Sequence, residues 1–232
     1  GVHQVFEEHG TAYMILDYVR GSDLLSYIEQ RGRALMPKEV TTILRKTLDA
    51  VGFVHEAGLL HRDISPDNII LSDDLEPILI DFGAAREQAT KTTQALSALR
   101  VVKDGYSPQE FYLAGSAQGP SSDLYSVAAT FYHIISGTLP PDSQVRLTAH
   151  VGKQPDPYTS LSKVVDGYDG NMCAAIDKAM AVLPKDRFRS AAAWLEALDA
   201  KSSGLRAKAV VSAQRMSKIH SRRVTRKTTS AA

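Results

Sequence analysis

Cysteine is nearly absent from this chain. Cys173 is the only one among 232 residues, so no disulfide framework can form within it, and the composition suits a reducing compartment. Long apolar runs are also missing. No stretch of about 18 apolar residues occurs and no basic-then-apolar leader opens the chain, so neither a transmembrane helix nor a signal peptide is expected, and a cytoplasmic location follows as the working expectation. The first residue is Gly1 and not methionine, which suggests a fragment or a processed product. Acidic side chains are absent from residues 200–232, which carry nine Lys and Arg, while residues 1–199 carry 18 basic against 26 acidic. That basic tail is poor in aromatics and rich in Ser, Thr and Ala, a composition that favours a disordered connector. The other reading is contact with an anionic partner or membrane surface; there is no specific nucleic-acid signal.

What is present, 44% hydrophobic and 23% charged residues, is enough for one domain with a sizeable core, taken as residues 1–199. Two apolar runs, residues 2–8 and 12–19, flank His9-Gly10 and predict an antiparallel hairpin. Asp23 then offers a helix cap before Leu24, Leu25 and Ile28. Pro37 suits the first position of a second helix with Val40, Ile43, Leu44, Leu48, Val51 and Val54 on one face, ended by Gly58. Residues 68–71 and 77–80 predict a second hairpin, residues 84–107 a long polar loop, and residues 122–136, 170–182 and 190–199 helices.

The chemistry concentrates in the loops beside that second hairpin. His61-Arg62-Asp63-Ile64-Ser65-Pro66-Asp67-Asn68 is followed by Asp81-Phe82-Gly83, with Asp81 thirteen residues after Asn68. Phosphoryl transfer needs a group that accepts or orients the proton of the attacking hydroxyl, together with cations bridging the phosphate oxygens. Magnesium takes hard oxygen donors, one or two carboxylates with a side-chain carbonyl. Asp63 can serve as the base, while Asn68 and Asp81 can serve as metal ligands; Gly83 lets the backbone turn sharply after Asp81.

With those residues in place the chain resembles the eukaryotic-type (Hanks-type) serine/threonine protein kinases, through an HRD-x-x-x-x-N loop and a DFG loop. The resemblance extends over residues 1 to about 199. It implies an α+β, protein-kinase-like fold with a mostly α-helical C-lobe and only the last strands of the N-lobe. ATP and Mg2+ are the implied cofactors, and protein substrates and signal transduction the implied setting. Tyr106-Ser107-Pro108-Gln109-Glu110 is similar to the motif closing the activation segment, Arg187 to the arginine pairing with that glutamate, and Asp123 to the aspartate that holds the catalytic loop. By the same resemblance Asp17 to Val19 form the hinge at adenine, Asp23 lies near the ribose and Ile70 under the adenine ring. His61 is implied to be a packing residue. Arg62 either pairs with a phosphorylated residue among Thr90, Thr92, Thr93 and Ser97 or caps local carbonyls. The Ile64-Ser65-Pro66-Asp67 variant and Leu139-Pro140-Pro141-Asp142-Ser143 suggest a bacterial origin.

Two departures matter. Serine/threonine members usually carry a lysine two residues after the catalytic aspartate, where this chain has Ser65, and a threonine at the place of Lys103. An exchange is therefore expected, with Lys103 bringing the ammonium from the other loop; a separation above about 8 Å from Asp63 would exclude it. By the same resemblance the chain starts at the fourth strand of the small lobe, so the glycine-rich loop and its lysine are expected to lie outside it, and residues 1–232 alone are expected to bind ATP poorly and turn over little. Other readings are a pseudokinase or interaction scaffold and a small-molecule kinase related to aminoglycoside or choline phosphotransferases.

Overall fold

The apolar runs around His9-Gly10 form an antiparallel hairpin, β1 (Val2–Glu8) with β2 (Thr11–Leu16), in the computed structural model, which describes residues 2–72, 74–81, 102–113 and 115–200. His9 and Gly10 have φ of 52° and 72°, the left-handed pair required by a tight two-residue turn. Phe6 stacks on Tyr13 across the ladder with ring centroids 5.3 Å apart. Strand β2 stops at Leu16, short of the expected Val19, and the connecting residues 17–20 carry no regular secondary structure.

That connection crosses close to a second sheet. Gly21 has φ 140°, and a Cβ there would lie 2.4 Å from the Leu71 carbonyl oxygen, so only glycine lets the chain pass. The sheet has three antiparallel strands in the order β3 (Ser22–Asp23), β4 (Ile69–Leu71) and β5 (Pro77–Leu79). The β4–β5 hairpin matches the expected second hairpin. Strand β3 escaped the sequence because two polar residues show no alternation.

Asp23 caps helix α1 (Leu24–Arg31), its carboxylate accepting from the Ser26 N–H at 3.0 Å. Helix α2 (Pro37–Glu56) starts at the expected proline, and Glu39 reaches back to accept from the Met36 N–H at 2.7 Å. Its apolar face buries Val40, Ile43, Leu44, Leu48 and Val51, each contributing about 1.5–3 kcal/mol of transfer free energy.

Helix α3 (Pro120–Ser136) is buried on nearly all sides, as expected for a helix at the centre of a helical layer. It packs against α2, α5 (Leu161–Val164) and α6 (Gly170–Ala179). Helix α4 (Ser143–Val151) lies in the largely helical part expected after Ser122 but outside the three helices named there, although Asp142 caps it by accepting from the Gln144 N–H at 2.7 Å; Val145 and Val151 are exposed, so apolar periodicity is weak. Helix α7 (Ala191–Asp199) closes the layer with Trp194 fully buried and stacked on Phe188 at 5.5 Å. Among the described residues no helix is long and apolar enough to cross a membrane.

Candidate active site

The loop between α2 and β4 hangs on one carboxylate from the core. Asp123 of α3, with its side chain 1% exposed, accepts from the His61 N–H at 2.9 Å and the Arg62 N–H at 2.8 Å, and is 2.8 Å from His55 Nε2 of α2. Three elements are thereby tied at one residue. Arg62 takes φ 65°, a left-handed conformation that costs a non-glycine residue on the order of 1–3 kcal/mol and is sustained by the Asp123 contact.

His61 joins this loop to the strand that delivers Asp81. Its Nε2 lies 3.1 Å from the Ile80 carbonyl oxygen, which can only accept, so Nε2 carries the proton and Nδ1 accepts from the Asp63 N–H at 3.3 Å. Burial pushes the ring's pKa below the usual histidine value, against the opposing pull of Asp123, and the neutral form fits both hydrogen bonds. The unfolded ring titrates near 6.5, so below about pH 6.5 the unfolded state binds more protons and folding is disfavoured. Between pH 7.5 and 5.5 the wild type is expected to lose stability through this ring. Urea unfolding at the two pH values should show a smaller loss in His61→Gln; equal losses would rule out the assignment. His133, also lowered by burial, adds a loss of the same sign in both proteins.

Short-range bonds tie Asn68 to Asp63 and to the residue that precedes Asp81. Pro66–Asn68 form a 3-10 turn, and from it Asn68 Nδ2 donates to the Asp63 carbonyl at 2.7 Å and to Asp63 Oδ2 at 2.8 Å. The Ile80 N–H donates to the Asn68 carbonyl at 3.0 Å, which sets the next residue, Asp81, beside the loop with φ 58°. The Asn68 amide oxygen and the exposed Asp81 carboxylate are hard donors and fit magnesium. Among the described residues no three or more His, Cys, Asp and Glu side chains converge on a metal position. Such a sparse donor set suits an ion that completes its shell with phosphate oxygens and water. Gly83, Thr90, Thr92, Thr93 and Ser97 lie outside the described residues, so the partners foreseen for Arg62 do too.

Lys103 arrives from the far loop. Its Nζ donates to Ser65 Oγ at 2.8 Å and lies 3.4 Å from Asp63 Oδ1 and 3.7 Å from Asp67 Oδ2. Seven residues on, Glu110 is buried against Arg187, whose Nη1 and Nη2 donate to its two oxygens at 2.6 and 3.2 Å. On the other side of the loop, Asp23 and Ile70 are register partners across β3 and β4, while Asp17 pairs with His3 in the open and Val19 is half-buried. Sequence reasoning missed His55, Asp67 and the pair Tyr106–His133, in which the phenol oxygen lies 2.6 Å from Nδ1. Asp67 lay inside the motif, but among the described residues it is the approach of Lys103 that gives it a partner; His133 carries no signal apart from its place on α3.

Comparison with known proteins bears on this arrangement. Residues 1–193 match the protein kinase domain family. The chain is 32% identical over 202 residues to the serine/threonine-protein kinase PknA of Nostoc sp., covering 85% of the chain and 34% of that protein. It is 29% identical over 188 residues to the serine/threonine-protein kinase PknL of Mycobacterium tuberculosis, covering 81% and 46%. The solved apo form of PpkA-294 superposes with a TM-score of 0.71 at 32% identity, over 85% of this chain and 66% of that one. The chain thus spans less than half the length of these two curated relatives.

Proposed function

The chain belongs to the protein kinase family, and we propose that it carries the catalytic core of a serine/threonine protein kinase, moving the γ-phosphoryl group of ATP to Ser and Thr hydroxyls of protein substrates. The observation that carries this reading is the Asn68 bridge, whose amide donates to Asp63 and whose carbonyl accepts from the N–H of Ile80, the residue before Asp81. In the proposed step the substrate hydroxyl oxygen attacks the γ-phosphorus, the bond to the ADP oxygen breaks, and the hydroxyl proton passes to the Asp63 carboxylate. Asn68 fixes the direction of that carboxylate through Nδ2 and keeps its own amide oxygen for a cation. Magnesium, when held by Asn68 and Asp81, would offset the charge of the phosphates. Backbone groups of Asp17 to Val19 would meet the adenine, with Asp23 at the ribose and Ile70 below the ring; the Asp23–Ile70 pairing across β3 and β4 supports this part.

A protein substrate is favoured over a small one by the buried Glu110–Arg187 pair, which anchors the end of a long segment beside the site, where an extended peptide would need a platform. Arg62 is proposed to receive a phosphate from Thr90, Thr92, Thr93 or Ser97. The nine basic residues after residue 199 are proposed to serve a connector or an anionic partner.

The direct test incubates the full-length protein with γ-labelled ATP, magnesium and a Ser/Thr-containing protein. Acid-stable label on Ser or Thr, lost on chelation of the metal, is the expected result. Folded protein that labels no protein acceptor, or that labels an aminoglycoside or choline instead, would refute it.

A further inference from the structure

We propose that Lys103 is a catalytic residue of the transfer, supplying from the loop at residues 102–107 the ammonium that Ser65 cannot, so that the site is complete only when that loop is seated. The proposal rests on the kinase reading above and deepens it by assigning a further group to the reaction.

The argument starts from the charge at the centre. Asp63, Asp67 and Asp81 are carboxylates on the two motif loops, and a transferring phosphoryl group brings more negative charge. Between Asp63 and Asn68 the loop itself contributes no cation: the residues are Ile64, Ser65, Pro66 and Asp67. Lys103 fills that deficit in space. Its side chain is 26% exposed, so it is neither a freely solvated lysine nor a fully desolvated one.

The distances suit a working cation better than a structural anchor. A charge-assisted hydrogen bond between ammonium and carboxylate has a length of about 2.7–2.9 Å. Lys103 Nζ stands at 3.4 Å from Asp63 and 3.7 Å from Asp67, while among the described residues only the neutral Ser65 hydroxyl is at full hydrogen-bond distance, 2.8 Å. The ammonium is therefore held near the base by Ser65, without being locked into either ion pair. It can turn toward a phosphoryl oxygen while keeping the serine bond.

The backbone of Lys103 is fixed independently. Its N–H donates to Ser107 Oγ at 2.9 Å, and its carbonyl accepts from the Tyr106 and Ser107 N–H groups at 3.0 and 2.9 Å. Ser107 is held in turn, its carbonyl accepting from Ser143 Oγ of α4 at 2.8 Å. A cation on the same loop as Asp63 would be present whatever the second loop did. Here it is present only while residues 103–107 rest on α4.

The test measures kcat and KM on full-length wild type, Lys103→Met, and the transposed double variant Lys103→Thr/Ser65→Lys, with thermal melts to verify folding. Lys103→Met is expected to lower kcat about 10²-fold, the effect of removing one preorganised donor, with KM for ATP within about threefold of wild type. The double variant should recover to within about tenfold of wild-type kcat. Because Ser65 is fully buried and a lysine there could disturb folding, Lys103→Cys alkylated with 2-bromoethylamine offers a second rescue that returns an ammonium to the original position. Unchanged kcat in Lys103→Met overturns the proposal and leaves the kinase reading standing. A loss that neither rescue repairs also overturns it, by making Lys103 a packing residue. A folded wild type with no transfer at all removes the kinase reading, and this proposal with it.

Discussion

Asp63→Asn is expected to lower kcat by about 10²–10⁴-fold, the usual contribution of a general base, in a protein that still folds. The geometry separates the two effects. One of the two Asn68 Nδ2 bonds goes to the Asp63 backbone carbonyl at 2.7 Å and is untouched by the substitution. The other, to Oδ2 at 2.8 Å, can pass to the oxygen of the new amide. The charge lost is one that Lys103 meets at 3.4 Å, with the side chains 16% and 26% exposed; a partly solvated pair of this kind contributes about 0–1 kcal/mol. The fold therefore keeps nearly all its support, while the hydroxyl loses its proton acceptor. Single-turnover transfer with labelled ATP, alongside urea unfolding, measures both quantities. More than a tenth of wild-type kcat would reject Asp63 as the base, and a stability loss above about 2 kcal/mol would show that the inactivity is partly structural.

The proposed site residues were the most legible in the sequence, because they follow a motif whose spacing is set by bonds local to the loop. Asn68 reaches Asp63 five residues away. Asp81 is placed by the bond from Ile80 back to Asn68, at the far end of a hairpin whose apolar runs could be seen in advance. The elements were legible where periodicity was strong, as in α2, and failed where it was weak: β3 is two polar residues, and α4 exposes Val145 and Val151. The long-range partners divide in a similar way. Asp123 and Arg187 were identified through resemblance, since nothing local in either stretch reveals a carboxylate that accepts two loop amides or a guanidinium that reaches residue 110. His55 stands on the same carboxylate, and it escaped because a histidine near the end of an amphipathic helix looks like any other exposed last-turn residue.

Arg187→Met is expected to destabilise the fold by about 3–5 kcal/mol, the cost of stranding one member of a buried ion pair. Both side chains are almost wholly inaccessible, 0% for Arg187 and 1% for Glu110. Beyond the carboxylate, the guanidinium donates to the carbonyls of Ala181 and Val182, each at 2.7 Å, and of Ser121 at 3.2 Å. Methionine fills much of the volume, but it leaves those carbonyls without these donors and the buried Glu110 charge, among the described residues, with only the Ser122 hydroxyl at 2.8 Å. Lysine keeps the charge yet cannot reproduce the planar fork, so Arg187→Lys should fall between methionine and wild type. Against a typical domain stability of about 5–15 kcal/mol the loss is large, and at this chain length it corresponds to a fall in Tm on the order of 6–20 °C. Adding Glu110→Gln to Arg187→Met removes the stranded charge, so the double variant should be more stable than the sum of the single effects requires. A loss below about 1 kcal/mol for Arg187→Met, or strict additivity in the double variant, would reject the buried pair as the anchor. The same pair bears on Lys103: Glu110 sits three residues after Ser107, whose carbonyl is seated on α4, so freeing residue 110 loosens the turn that carries the ammonium. At temperatures where Arg187→Met is still folded, its kcat should therefore fall toward that of Lys103→Met, and adding Lys103→Met should cost it less than it costs wild type.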